Sequence, residues 1–182
     1  MANSAFQVQS VNLTNGVTGV LPAANGGVGA GAVLQTLSTT KTNTFSTTGT
    51  AYTDVTGLSQ AITPASTSNK VLVTVTMMVG GPTGSDSIIA QLLRGSTAIG
   101  VGAAAGSRTP ASATVVAQNA AFGETISFSF LDSPATTSST TYKVQVRSSS
   151  AGTIYVNRTS TDSDADGFVR GASTITVQEI KG

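Results

Sequence analysis

The run Asp162-Ser163-Asp164-Ala165-Asp166-Gly167 is where this sequence comes nearest to a chemical site. Carboxylates at alternating positions followed by glycine resemble the opening of a calcium loop, in which a sharp turn wraps oxygen ligands around a hard cation. The pattern then departs from that template. Its twelfth position is Ser173, where a bidentate glutamate is needed, and its flanks read as strands rather than helices. Asp162, Asp164 and Asp166 are the candidate metal ligands, and calcium is the one cofactor they suit. The plainer expectation is a solvated hairpin loop between strands at 154–157 and 174–180. Some of the dispersed arginines, at 94, 108, 147, 158 and 170, are expected to pair with its carboxylates.

The remaining chemistry is thin. The chain has no His and no Cys. That removes the commonest general base, the strongest nucleophile and the usual zinc and iron ligands, so a Ser–His–Asp system cannot form. Paired carboxylates could still cleave glycosides. Outside the loop, however, the acids stand apart, at Asp54, Asp86, Glu124, Asp132 and Glu179, and are expected at turns or solvated strand ends. Gly26-Gly27-Val28-Gly29 lacks the following Lys and helix of a phosphate-cradling loop. Asn12-Leu13-Thr14 and Asn157-Arg158-Thr159 match the glycosylation pattern, which recurs by chance in a Thr-rich chain. The reading is a non-enzymatic protein.

Only 9% of the 182 residues are charged, and the net charge is +1. Globular domains usually carry about 25% charged residues. Neither nucleic acid nor an anionic membrane is an expected partner, since both demand a basic surface. Nor does any apolar run approach the ~20 residues that span a bilayer. No secretory signal is expected, because no basic residue precedes an apolar run at the N-terminus. A chain this poor in charge is expected to cover its surface by permanent association with copies of itself.

The elements that must position these residues divide near residue 40. Residues 1–40 hold no charged side chain and are punctuated by Asn15-Gly16, Gly19, Pro22 and Asn25-Gly26-Gly27, so no long helix survives there. This stretch is expected to be an extended arm that anchors the protein to a partner. The contact residues would be Asn12, Leu13, Val17, Val20, Leu21 and Pro22. Residues 41–182 read as short strands. Ile126, Phe128 and Phe130 alternate with polar residues, as do Tyr142, Val144 and Val146. Ile154 and Val156, then Ile175 and Val177, continue the pattern, with weaker candidates at 42–45, 52–55, 88–94 and 112–117. Gly, Ser and Pro clusters separate them, which predicts an all-β jelly-roll sandwich. Residues 71–78 are apolar on both sides, so Val71, Val73, Val75 and Met77 are the expected subunit interface.

Two parts of the chain carry a resemblance. Asn12-Leu13-Thr14-Asn15-Gly16-Val17-Thr18-Gly19-Val20-Leu21-Pro22-Ala23-Ala24-Asn25-Gly26-Gly27 resembles a segment of tailed-bacteriophage fibre and virion proteins. The body is similar to phage virion head domains with a tumour-necrosis-factor-like jelly roll. The similar runs are Leu93-Arg94-Gly95-Ser96-Thr97-Ala98-Ile99, Phe130-Leu131-Asp132-Ser133-Pro134, Thr141-Tyr142-Lys143-Val144, Tyr155-Val156-Asn157-Arg158 and Gly171-Ala172-Ser173-Thr174-Ile175-Thr176-Val177-Gln178-Glu179-Ile180. The resemblance implies a homotrimer about a three-fold axis, located on a virion surface. Fibre proteins with this arm usually carry long shafts, whereas here it begins close to Met1. The expected role is therefore a capsid cement or decoration protein, with the major capsid protein as partner. The alternative is a short tail fibre or fibre tip, attached to a tail protein. It would meet a host surface receptor through loops around Asp86, Ser107 and Asp162.

Overall fold

The computed structural model describes residues 32–81 and 86–182. Eleven strands follow one another: β1 (Val33–Lys41), β2 (Phe45–Thr48), β3 (Thr53–Ile62), β4 (Lys70–Gly80), β5 (Ser87–Arg94), β6 (Thr97–Ile99), β7 (Ala113–Val116), β8 (Glu124–Asp132), β9 (Thr140–Ser148), β10 (Thr153–Val156) and β11 (Ser173–Ile180). No helix occurs among the described residues.

The strands form two antiparallel sheets. In the first, β8 pairs with β4 along its length, from Val71↔Asp132 to Val79↔Glu124. The other side of β4 is shared: β11 takes residues 70–76 and β10 takes Val79 and Gly80. Outside them, β1 pairs with β11 and β2 with β10. Four hydrogen-bonded lines result, in the order β1/β2, β11/β10, β4, β8. The second sheet runs β3, β9, β5, with β6 and β7 sharing the far side of β5. The chain crosses between the sheets at six of its ten connections, while β1–β2, β5–β6, β6–β7 and β10–β11 each stay within one sheet. This wrapping is a jelly roll, the expected fold, which keeps sheet edges few by rolling one antiparallel ribbon upon itself.

The core follows from period-two alternation. Val71, Val73, Val75, Met77 and Val79 of β4 point inward and are fully buried. They meet Ile88, Ala90 and Leu92 of β5 and Tyr142, Val144 and Val146 of β9, with Ile175 and Val177 beside them. Each buried aliphatic side chain contributes about 1.5–3 kcal/mol.

Three expectations change. The sandwich begins at Val33, so residues 33–40, read as arm, form β1 and pair with β11. Strand β4 is apolar on both sides only in part: its outward residues are Leu72, Thr74, Thr76 and Met78, and both threonines are exposed. Strands β10 and β11 do not make a hairpin. They lie in line along one side of β4, and residues 158–172 leave and rejoin that line between Met78 and Thr76.

Candidate interaction surface

Among the described residues, the expected site residues do not converge: Val71, Val73, Val75 and Met77 are buried, and Asp162, Asp164 and Asp166 are exposed. Asn12, Leu13, Val17, Val20, Leu21 and Pro22 lie outside the described residues. Val71, Val73, Val75 and Met77 lie in the interior of one sandwich, out of reach of any second subunit. Their burial has a simple cause: β4 is central, and its inward face is covered by the second sheet. A subunit contact through this strand has to use the other face.

Asp162, Asp164 and Asp166 sit on the 158–172 excursion and are exposed. Asp162 is taken by arginine. Arg170 Nη2 donates to it at 2.6 Å and Nε at 3.2 Å, and Arg158 Nη1 lies 3.5 Å away. The Arg158 guanidinium also stacks 3.8 Å from the centre of the Tyr155 ring. Among the described residues, no group of three or more His, Cys, Asp or Glu is placed to hold a metal ion. The expected pairing of arginines with this loop is what the geometry contains.

Asn157, read from sequence only as a chance glycosylation match, organises the neck of that excursion. It is fully buried, with φ of 63°, a left-handed conformation that asparagine tolerates. Its Nδ2 donates to the Lys41 carbonyl at 2.7 Å and the Asn43 carbonyl at 3.1 Å, and its Oδ1 accepts from Ser173 Oγ. Its backbone N–H donates to Met78 O, and its carbonyl accepts from Gly171 N–H. One side chain thereby ties the β1–β2 break to the β10–β11 break. Gly80 lies against the same neck, where a Cβ would stand 2.6 Å from the Arg158 carbonyl oxygen.

Three acids expected at turns or solvated ends are buried and held by donors. Glu179 accepts from Gln35 Nε2 at 2.6 Å, Ala65 N–H at 2.6 Å and Asn69 Nδ2 at 2.5 Å. Burial alone would raise its pKa, but the bonds from Asn69, Gln35 and Ala65 outweigh that and hold it low. Asp86 accepts from Ser148 Oγ, Ser149 Oγ and the Ser150 and Gly152 N–H groups, and these likewise overcome burial and lower its pKa. Asp132 accepts from Arg94 Nη1 at 2.9 Å and from the Tyr142 hydroxyl at 2.7 Å. Burial, then Asp132 itself, pushes the Tyr142 phenol far above its ordinary value. These carboxylates close loops against the sandwich.

What remains accessible is two outer sheet faces of different character. On the second sheet a polar row crosses three strands. Gln91 Nε2 donates to Gln145 Oε1, and Gln145 Nε2 and Lys143 Nζ donate to Asp54, each at 2.7 Å. Beside it, residues 100–112 fold onto this side, where the Tyr52 hydroxyl donates to Pro110 O and Arg147 Nη1 to Thr109 Oγ1.

The first sheet's outer face is paved with hydroxyls. Registered rows place Thr40, Thr174, Thr76 and Ser127 side by side, then Ser38, Thr176, Thr74 and Ser129. Ser38 and Thr176 hydroxyls are 2.9 Å apart, and Thr76 and Ser127 hydroxyls 3.3 Å. Beyond these rows Leu72 and Leu131 are neighbours, with Leu131 46% exposed. Over β1, β11, β4 and β8, the one charged side chain among the described residues of this face is Lys70, at its end. Sequence alone could not assemble this surface, because the rows join strands far apart in the chain. The signal available was the Thr and Ser alternation within each strand.

No protein-family model matches the chain, and no curated protein matches it. Among solved structures it is similar to a chain of infectious bursal disease virus Gt strain, at 13% identity and a TM-score of 0.42, covering 81% of this chain and 38% of that one. A chain of T=1 particles derived from infectious bursal virus gives 13% identity and a TM-score of 0.42, covering 81% and 36%. The VP2 subviral particle of infectious bursal disease virus gives 11% and 0.40, covering 81% and 38%. The chain thus spans well under half the length of the solved chains it matches.

Proposed function

We propose that this chain is a non-enzymatic structural protein of a bacteriophage virion surface, a homotrimeric capsid cement or decoration protein anchored to the shell by its N-terminal segment. The observation that carries this reading is the ordered set of sequence runs similar to phage virion head domains, together with the jelly roll in which they fall. Leu93 to Ile99 spans the end of β5 and β6, Thr141 to Val144 lies in β9, and Gly171 to Ile180 leads into and fills β11. The non-enzymatic half is supported by the absence of His and Cys and by the engagement of Asp86, Asp132 and Glu179 in loop-closing hydrogen bonds.

The alternative is a short tail fibre or fibre tip that binds a host receptor, and the arm segment Asn12 to Gly27 favours it. Of its three receptor-loop candidates, Ser107 and Asp162 are on exposed loops, whereas Asp86 is buried beneath the β9–β10 turn. Copy number in purified particles separates the two. A stoichiometry on the scale of the major capsid protein supports cement, and one on the scale of the tail supports a fibre. Absence from purified particles would reject both.

A further inference from the structure

We propose that the outer face of the first sheet, together with the free edge of β8, is the surface through which copies of this chain bind one another. This rests on the homotrimer reading and gives that trimer a contact surface. The occupant is a second copy of the chain.

Three observations carry it. The first is charge. Solvated sheet faces ordinarily carry Lys, Glu and Arg, as the second sheet does with Asp54, Lys143 and Arg147. The first sheet presents exposed Thr and Ser across four strands, with Lys70 alone at the border. Such hydroxyls cost little to desolvate where each can donate or accept, and Ser38–Thr176 and Thr76–Ser127 already do so. The second is the edge. From Thr125 to Leu131, β8 has no charged residue and no proline, and among the described residues no backbone hydrogen bond reaches its second side. Long edge strands are normally blunted by charge, proline or a bulge, so an unblunted one is expected to be covered. The third is area. Four strands at about 4.8 Å spacing, each about seven residues long, offer roughly 450 Å² per copy. Covering that face buries a like area on the neighbouring copy, on the order of 1,000 Å² in all, the threshold for a specific interface.

A second copy fits these features better than an unlike partner. The face is neutral and the chain as a whole is nearly so, with a net charge of +1. Nothing on it would steer an acidic or basic protein. Leu72 and Leu131 at one end supply apolar contacts that hydroxyls alone lack.

The test compares Thr74→Arg and Ser129→Arg with Ala61→Arg, which lies on the outer face of the second sheet. Sedimentation of the full chain should show the wild type and Ala61→Arg as oligomers. The two first-sheet variants should dissociate with at least a tenfold weaker constant while keeping cooperative thermal unfolding. Because the protein has no cysteine, Thr74→Cys gives a second readout that does not depend on tolerance of arginine. Its thiol should be protected from maleimide in the oligomer and labelled on dilution, whereas that of Ala61→Cys should label throughout. Oligomers that persist in both arginine variants, with a freely labelled thiol at position 74, overturn the surface and leave the trimer standing. A wild type that is monomeric at every concentration overturns both.

Discussion

Glu179 keeps its charge inside the sandwich because three donors from separate segments converge on it: Gln35 from β1, and Ala65 and Asn69 from the β3–β4 connection. Asp86 is held in the same way by the β9–β10 turn. Both have folded pKa values below their ordinary 4.5 and 3.8. A depressed folded value means stability that is complete above the ordinary value and is lost as pH falls through the folded one. Urea midpoints should therefore be level from neutral pH to about 5 and fall below about 4. Glu179→Gln should lower the neutral plateau and flatten part of that acid limb. An unchanged acid limb in both Glu179→Gln and Asp86→Asn would show that other groups govern it. Asn157 is the neutral counterpart. Asn157→Ala leaves the Lys41 and Asn43 carbonyls without their donor and should cost about 2–3 kcal/mol in denaturation. Asp162 leads to the opposite expectation. With Arg170 and Arg158 already upon it, millimolar calcium should leave the melting temperature unchanged, and a calcium-dependent rise would restore the cation site.

Much of the element pattern was legible where one face of a strand is wet. Ile126 in β8, Tyr142, Val144 and Val146 in β9, and Ile175 and Val177 in β11 all point inward, as their alternation predicted. β1 escaped because Val33–Lys41 offers Val, Leu, Thr and Ser without alternating burial, its strand character coming from pairing with distant β11. The hairpin assigned between 154–157 and 174–180 failed for a related reason. Proximity in sequence favoured direct pairing, but both strands are satisfied by β4, and only non-local register reveals that they are collinear. The role of Asn157 was equally hidden, because its partners Lys41 and Asn43 lie far away in sequence. Within β4 the inward residues carry the stability. Met77→Ala should cost about 2–5 kcal/mol, as expected for a fully buried side chain. Thr76→Ala, on the outer face of the same strand, should cost under about 0.5 kcal/mol in the dissociated chain. Equal costs at the two positions would contradict the inward and outward assignment.

At the scale of the whole molecule, the boundary between arm and sandwich decides which truncations are informative. The sandwich starts at Val33, and β1 gives more than an outer strand. It covers the edge of β11, supplies Gln35 to Glu179, and offers the Lys41 carbonyl to Asn157. Removing residues 1–31 leaves all of these in place, so the sandwich should still unfold cooperatively on heating. Removing residues 1–40 strips β1, bares the β11 edge and takes a donor from a buried carboxylate. That loss should consume most of a total stability of about 5–15 kcal/mol and yield aggregated or unfolded protein. The shorter deletion then isolates function from folding, because it takes Asn12, Leu13, Val17, Val20, Leu21 and Pro22 and leaves the sandwich. If the cement reading holds, the truncated protein remains oligomeric in sedimentation and fails to bind particles that the full chain decorates. Full occupancy by the truncated protein would move the anchor from the arm to the sandwich, where the outer face of the second sheet, with Asp54, Lys143 and Gln145, would be the first surface to test.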